Sequence, residues 1–200
     1  MREDAASAIA SEVGRYLRQK NSRIVQIDVK DGSALGRLHD EMGLSARRLT
    51  VSTVGIVPGI RRLTEEPLPV NLAVSLHAAN DELRDQLVPI NRRYPLAVLA
   101  AACRHYVETT RRRLSLEWAV IGGVNDSERD AAELAAFARD LRAHVNLIGL
   151  NETAGYRAPG RPRTLEFRAR LVRLGVNATV RATRGREIAA ACGQLAGRTG

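Results

Sequence analysis

Apolar and polar positions along the chain follow two rhythms. Short runs rich in β-branched residues occur at "RIVQIDV" (23–29), "RLTVSTV" (48–54), "VNLAVSL" (70–76), "LSLEWAVI" (114–121), "HVNLIGL" (144–150) and "VNATVRA" (176–182). Their length and branching predict β-strands. Between them, apolar residues return every three or four positions at 34–42, 57–66, 80–87 with 96–112, 127–141 and 164–174, which predicts helices. The terminal stretches 5–19 and 187–195 share the helical spacing. Strands alternating with helices imply βαβ units, a parallel sheet and right-handed crossovers. Six strands are too few for a closed eight-stranded barrel. The expected class is therefore α/β, as a partial (β/α) barrel or an open parallel sheet with outer helices.

In such folds the chemistry gathers at the carboxyl ends of the strands. Ser52 and Thr53 close the second predicted strand, and Ser75 and His77 close the third. Glu117 lies within the fourth, which runs into "GGVNDS" (122–127), and Asn151 ends the fifth. A hydrogen-bonding pocket for a polar small molecule follows more naturally from this set than a metal site. Each residue also has a structural use. "NDELR" (80–84) and "NDSER" (125–129) read as helix starts, with Asn80 or Asp81 and Asn125 to Ser127 able to cap. His77 serves equally well as a core or capping residue or as a ligand contact.

Composition narrows the partners. The 200 residues are 44% hydrophobic and 26% charged, which suits a globular domain. The net charge is +9, nearly all of it from arginine, with lysine only at positions 20 and 30. Arg47–Arg48, Arg61–Arg62, Arg92–Arg93, Arg111–Arg113 and the set Arg181, Arg184 and Arg186 offer a phosphate-contacting face. The competing reading is a compositional bias towards arginine. No apolar run approaches the ~18 residues of a membrane span, and the charged start "MREDAASAIASEVGRYLRQK" is unlike a signal peptide. A soluble, cytoplasmic chain is expected. Two cysteines make no disulfide framework. Cys103, in the apolar stripe "LAVLAAACRHYV", reads as a small buried hydrophobe. Cys192, in "AACGQLAG" (190–197), is the exception, because small neighbours give its thiol little packing.

Five blocks carry a resemblance. "ARRLTVSTVGIVPGIRRL", "LPVNLAVSLHAANDELRDQLVPINRRYPL", "GGVNDS", "HVNLIGLN" and "RGREIAAACGQLAG", in that order between about Leu35 and Gly197, resemble successive blocks of the RlmN/Cfr family. These are radical S-adenosylmethionine (SAM) enzymes that methylate adenine C2 in 23S ribosomal RNA and, in some members, in tRNA. The resemblance implies that Cys192 is the methyl-carrying catalytic residue. In the family that residue is methylated by one SAM. A second SAM, cleaved at a [4Fe–4S] cluster, gives the radical that activates the S-methyl group. By the same resemblance Ser52, Ser75, Leu76, His77 and Asn151 bind SAM, and a monomer acting on RNA away from membranes is expected.

Other family features have no counterpart here. The cluster motif C-x3-C-x2-C needs three thiolates, and this chain has two cysteines far apart. The "GEP" motif and the family's upstream acidic base are also missing. Residues 1–32 read as an unassigned helix and strand, and 33–200 as the C-terminal part of a radical SAM methyltransferase domain. Within the match, Arg186 and Ala189 stand where acidic residues are common in the family. Gly149 and Glu152 stand where prolines are common, and Trp118 stands where tyrosine is usual. The expectation is a truncated RlmN-like enzyme without activity alone. The alternatives are a non-catalytic RNA- or SAM-binding remnant and an unrelated enzyme with the same fold.

Overall fold

The computed structural model describes residues 25–27, 35, 39–40, 43, 45–149 and 159–181 of the chain. Six strands form one sheet: β1 (Val25–Ile27), β2 (Leu49–Thr53), β3 (Asn71–Ser75), β4 (Leu114–Val120), β5 (His144–Gly149) and β6 (Ala178–Arg181). They lie side by side in chain order, and every neighbouring pair is parallel. Five α-helices connect them: α1 (Val57–Glu65), α2 (Asp81–Leu87), α3 (Leu96–Thr110), α4 (Glu128–Asp140) and α5 (Gly160–Arg173). β1 and β6 are the two edges, so the sheet is an arc of a barrel rather than a closed one.

Strands added one after another by right-handed crossovers put every connecting helix on the same side of the sheet. The register shows which side chains face them. Leu72 pairs with Leu114, Val74 with Leu116, Leu116 with Val145, and Trp118 with Leu147. All of these are buried, and they share one core with Ile60, Leu99, Leu134, Phe167 and Leu171. Trp118 and Phe167 stack with ring centroids 6.1 Å apart. The other face is polar. Across it, Ser75 pairs with Glu117, Glu117 with Asn146, and Asn146 with Thr179. Helices therefore hold one side of the sheet, and hydrogen-bonding side chains line the other.

The sequence expectations for strand order and helix placement match this architecture, with two adjustments. The 176–182 run shortens to β6 at Ala178–Arg181. α5 starts at Gly160 rather than 164. Its first turn, "GRPR", has no apolar periodicity, yet a proline there loses no helical hydrogen bond. Most of the predicted 34–42 helix, with those at 5–19 and 187–195, lies outside the described residues.

Candidate functional site at the carboxyl end of the sheet

The polar strand ends are built by local turns that two buried side chains then lock. After β2, the Thr53 hydroxyl accepts from the Gly55 and Ile56 amides, both at 3.1 Å, and turns the chain into α1. After β3, Leu76 still follows the ladder, its N–H donating to the Glu117 carbonyl at 3.0 Å. His77 then turns left-handed, with φ of 59°. Its backbone leaves the sheet, and its ring takes the vacated rung: Nδ1 accepts from the Ala119 amide at 3.0 Å. Since Nδ1 is an acceptor, the neutral ring carries its proton on Nε2. Burial, aided by the nearby Arg84 charge, lowers the His77 pKa to about 4, so the ring is neutral at physiological pH.

Arg84 is fully buried on α2 and ties strand ends together. Its Nε donates to the Leu76 carbonyl at 3.2 Å, and its Nη2 to Val54 at 2.8 Å and Ser75 at 3.4 Å. Nη1 donates to Asn91, whose amide donates to Asp81 and Asp85. The guanidinium thus has its charge balanced through a buried amide, the arrangement that makes a buried ion tolerable. Asn125, also fully buried, does the same for the next strand. Its amide donates to the His77 and Ala119 carbonyls at 2.9 and 2.8 Å, and its oxygen accepts from Ile121 at 2.7 Å. Asn80 caps α2 through Leu83, and Ser127 with Asp130 forms a capping box on α4. Of the sequence-level capping candidates, Asn125 has a different task.

A chain of donors crosses the polar face. His144 meets Thr179 at 2.9 Å, Thr179 donates to Asn146 at 2.8 Å, and Asn146 donates to Glu117 Oε1 at 2.7 Å. Glu117 Oε2 is buried without a hydrogen bond, with Arg181 Nη1 3.7 Å away. A cleft of about 440 Å³ opens between the 122–127 loop and α5, lined by Asp126, Arg163, Glu166, Phe167 and Arg170. Its arginines are already paired, Arg163 with Asp126 and Arg170 with Glu166. That pairing suits a structural seam better than an anion site.

Ser52, Ser75, Leu76 and His77 are thus brought to one end of the sheet. Ser52 and Ser75 are partly exposed, whereas the Leu76 side chain is buried and both of its backbone groups are engaged. Asn151 and Cys192 lie outside the described residues. Cys103 is fully buried, and burial pushes its thiol up to about 12. Among the described residues, no group of three His, Cys, Asp or Glu side chains could hold a metal. The supporting roles of Arg84 and Asn125 were not foreseen from sequence. The only available signal was their place in the blocks following the third and fourth strands.

No family model matches the chain. Individual proteins do. It is 60% identical over 159 residues to a probable dual-specificity RNA methyltransferase RlmN from Parafrankia sp., a match covering 78% of this chain and 41% of that protein. It is 54% identical over 155 residues to the protein of the same description from Moorella thermoacetica, covering 76% and 44% respectively. Among solved structures, a radical SAM methyltransferase from Sphaerobacter thermophilus superposes with a TM-score of 0.75 at 53% identity, covering 78% of this chain and 47% of that one. The chain therefore spans less than half the length of the relatives it matches. The shared sheet and identities of this size over more than three quarters of the chain together mean that it corresponds to the C-terminal part of RlmN-type radical SAM methyltransferases.

Proposed function

We propose that the chain is the C-terminal part of an RNA methyltransferase that modifies adenine C2 in 23S ribosomal RNA, and in tRNA, with SAM as methyl donor. The observation that carries this reading is the convergence of Ser52, Ser75 and His77 at one end of the sheet, in a chain 60% identical over 159 residues to a probable dual-specificity RNA methyltransferase. The groups there suit a nucleoside cofactor: serine hydroxyls, a neutral imidazole with an Nε2 proton to donate, and a buried carboxylate oxygen lacking a donor. Ser52, Ser75, Leu76, His77 and Asn151 would hold SAM, which when bound supplies an electrophilic methyl group. Arg84 and Asn125 keep the strand ends in place around it.

In this reading Cys192 is the methyl-carrying nucleophile. A thiolate is the side chain best suited to accept a methyl group and later to leave. Cys103 is unsuited, because burial suppresses its thiolate. The residues present do not fit a [4Fe–4S] cluster. The sequence has two cysteines, one of them in the core, and no step through a cluster is assigned to these residues. The reading therefore takes residues 33–200 as part of a larger catalytic unit whose cluster ligands come from elsewhere, acting as a monomer on RNA in the cytoplasm. The lack of cluster thiolates favours one second reading, a non-catalytic remnant that retains SAM or RNA binding.

The test supplies a cluster-bearing segment. A family N-terminal segment bearing the cysteine motif is joined ahead of Leu35, and the fusion is incubated with SAM and an rRNA hairpin. Mass spectrometry should find methyl on the Cys192 peptide. RNA methylation should vanish in Cys192→Ala and persist in Cys103→Ala. Methyl on Cys103, or methylation surviving Cys192→Ala, overturns the assignment.

A further inference from the structure

We propose that Glu117 is an adenine-recognition residue, whose free carboxylate oxygen accepts a hydrogen bond from the exocyclic amine of an adenine held against the polar face of the sheet. This rests on the reading of the strand ends as a nucleoside-cofactor site, and it deepens that reading by naming the group that meets the base.

Glu117 is only 7% exposed, yet it lies on the polar face, in register with Ser75 on one side and Asn146 on the other. Adjacent strands are about 4.8 Å apart, so a ligand resting on Ser75 is within reach of it. Its Oε1 is fixed by Asn146, which is fixed by Thr179, which in turn meets His144. The carboxylate cannot swing away without breaking that chain. Its Oε2 accepts no hydrogen bond although it is buried. Native structures rarely leave such an atom without a partner. Arg181 Nη1, at 3.7 Å, is too distant to hydrogen-bond but close enough to balance the charge. The site therefore lacks a neutral donor rather than a cation.

The shape of the face favours a base edge as that donor. Along their own strands, Ala73 precedes Ser75 and Ala119 follows Glu117 on the same face, so methyl groups lie next to the position on these two strands, while Arg181 approaches from the β6 side. Glu117 also sits below the strand ends, three residues before β4 finishes. The base is the terminal group of SAM and of a nucleotide turned out of a helix, whereas ribose is tethered on both sides. The base is thus the part able to reach deepest. The cofactor's adenine and the RNA's target adenine present the same amine, and binding experiments can separate them.

The test is calorimetric titration of the full chain and of Glu117→Gln with SAM, adenosine, purine riboside, inosine and a short adenosine-containing RNA. The parent should prefer adenosine over purine riboside, which lacks the amine, by about tenfold, the scale of one hydrogen bond to a charged acceptor. That comparison needs no variant. Glutamine keeps the size of the side chain and can still accept from Asn146, but turns a donor towards the ligand. Glu117→Gln should lose the preference for adenosine and gain affinity for inosine, whose 6-oxo oxygen accepts; loss of packing alone cannot produce that exchange. A loss confined to SAM assigns the cofactor's adenine to Glu117, and a loss confined to the RNA assigns the target adenine. Equal binding of adenosine and purine riboside by the parent overturns the proposal, as does an adenosine preference that survives Glu117→Gln. If Glu117→Gln binds both SAM and the RNA as the parent does, only this proposal falls; if the parent binds no nucleoside at all, the cofactor reading falls with it.

Discussion

His77 combines two unusual conditions, a left-handed backbone and a ring that replaces a backbone group in a β-ladder. Its Nδ1 must stay unprotonated to accept from Ala119, and burial enforces this by lowering the pKa to about 4. The unfolded chain has a histidine near 6.5. Between those values the unfolded state binds more protons, so stability falls as pH drops from about 6.5 towards 4 and is insensitive to this group above 6.5. Over that window the loss should reach about 2 kcal/mol. Urea midpoints of the parent and His77→Gln at pH 7.5 and 4.5 measure it. The parent should lose more stability than the variant, and equal losses would contradict the neutral-ring assignment. His144 is also shifted down, by burial and by Arg113, so its contribution has the same sign and cancels in the comparison.

The turns after the strands decide how the site is held. Gly55, after β2, has φ of 105°, and a Cβ there would lie 3.1 Å from Arg84 Nη2 and 3.4 Å from Leu99. Gly123, after β4, has φ of 75° with nothing near its missing Cβ. Both substitutions to alanine incur the left-handed penalty of about 1 kcal/mol, but only Gly55→Ala also displaces the arginine that ties β2 to β3. We expect Gly55→Ala to cost about 2–3 kcal/mol and Gly123→Ala about 1, measured by denaturant unfolding. Equal costs would show that Arg84 moves aside freely. The strands, their order and most helix bounds were legible in the sequence, because β-branched runs separated by helical spacing have few other solutions. The polar face was partly legible too, since Asn71, Ala73 and Ser75 alternate with Leu72 and Val74. The roles of Arg84 and Asn125 were not. Each occupies a place where an exposed helix arginine or a cap is the ordinary expectation, and only tertiary packing brings carbonyls from separate strand ends to them. Asn151 and Cys192, placed by resemblance, fall outside the described residues, so the fold bears on them only through the proposal.

At the scale of the whole molecule, charge and topology have separate consequences. Arg47, Arg48, Arg111, Arg112 and Arg113 gather at the amino ends of β2 and β4, and among the described residues none of them has a carboxylate within 4 Å. With a net charge of +9, RNA binding by this chain should be dominated by counterion release. Filter binding to an rRNA hairpin should weaken steeply between low and physiological salt. Replacing Arg111, Arg112 and Arg113 with glutamine should flatten the slope by about two ions. A slope unchanged by the substitutions would leave these arginines as compositional bias. Topology bears on how the molecule comes into being. Each strand pairs only with its sequence neighbours, through crossovers that never pass over an earlier strand. No segment must wait for a distant partner or thread past one already in place. The sheet can therefore grow in the order in which a ribosome releases it, each βα unit docking on a finished edge, so assembly keeps pace with synthesis.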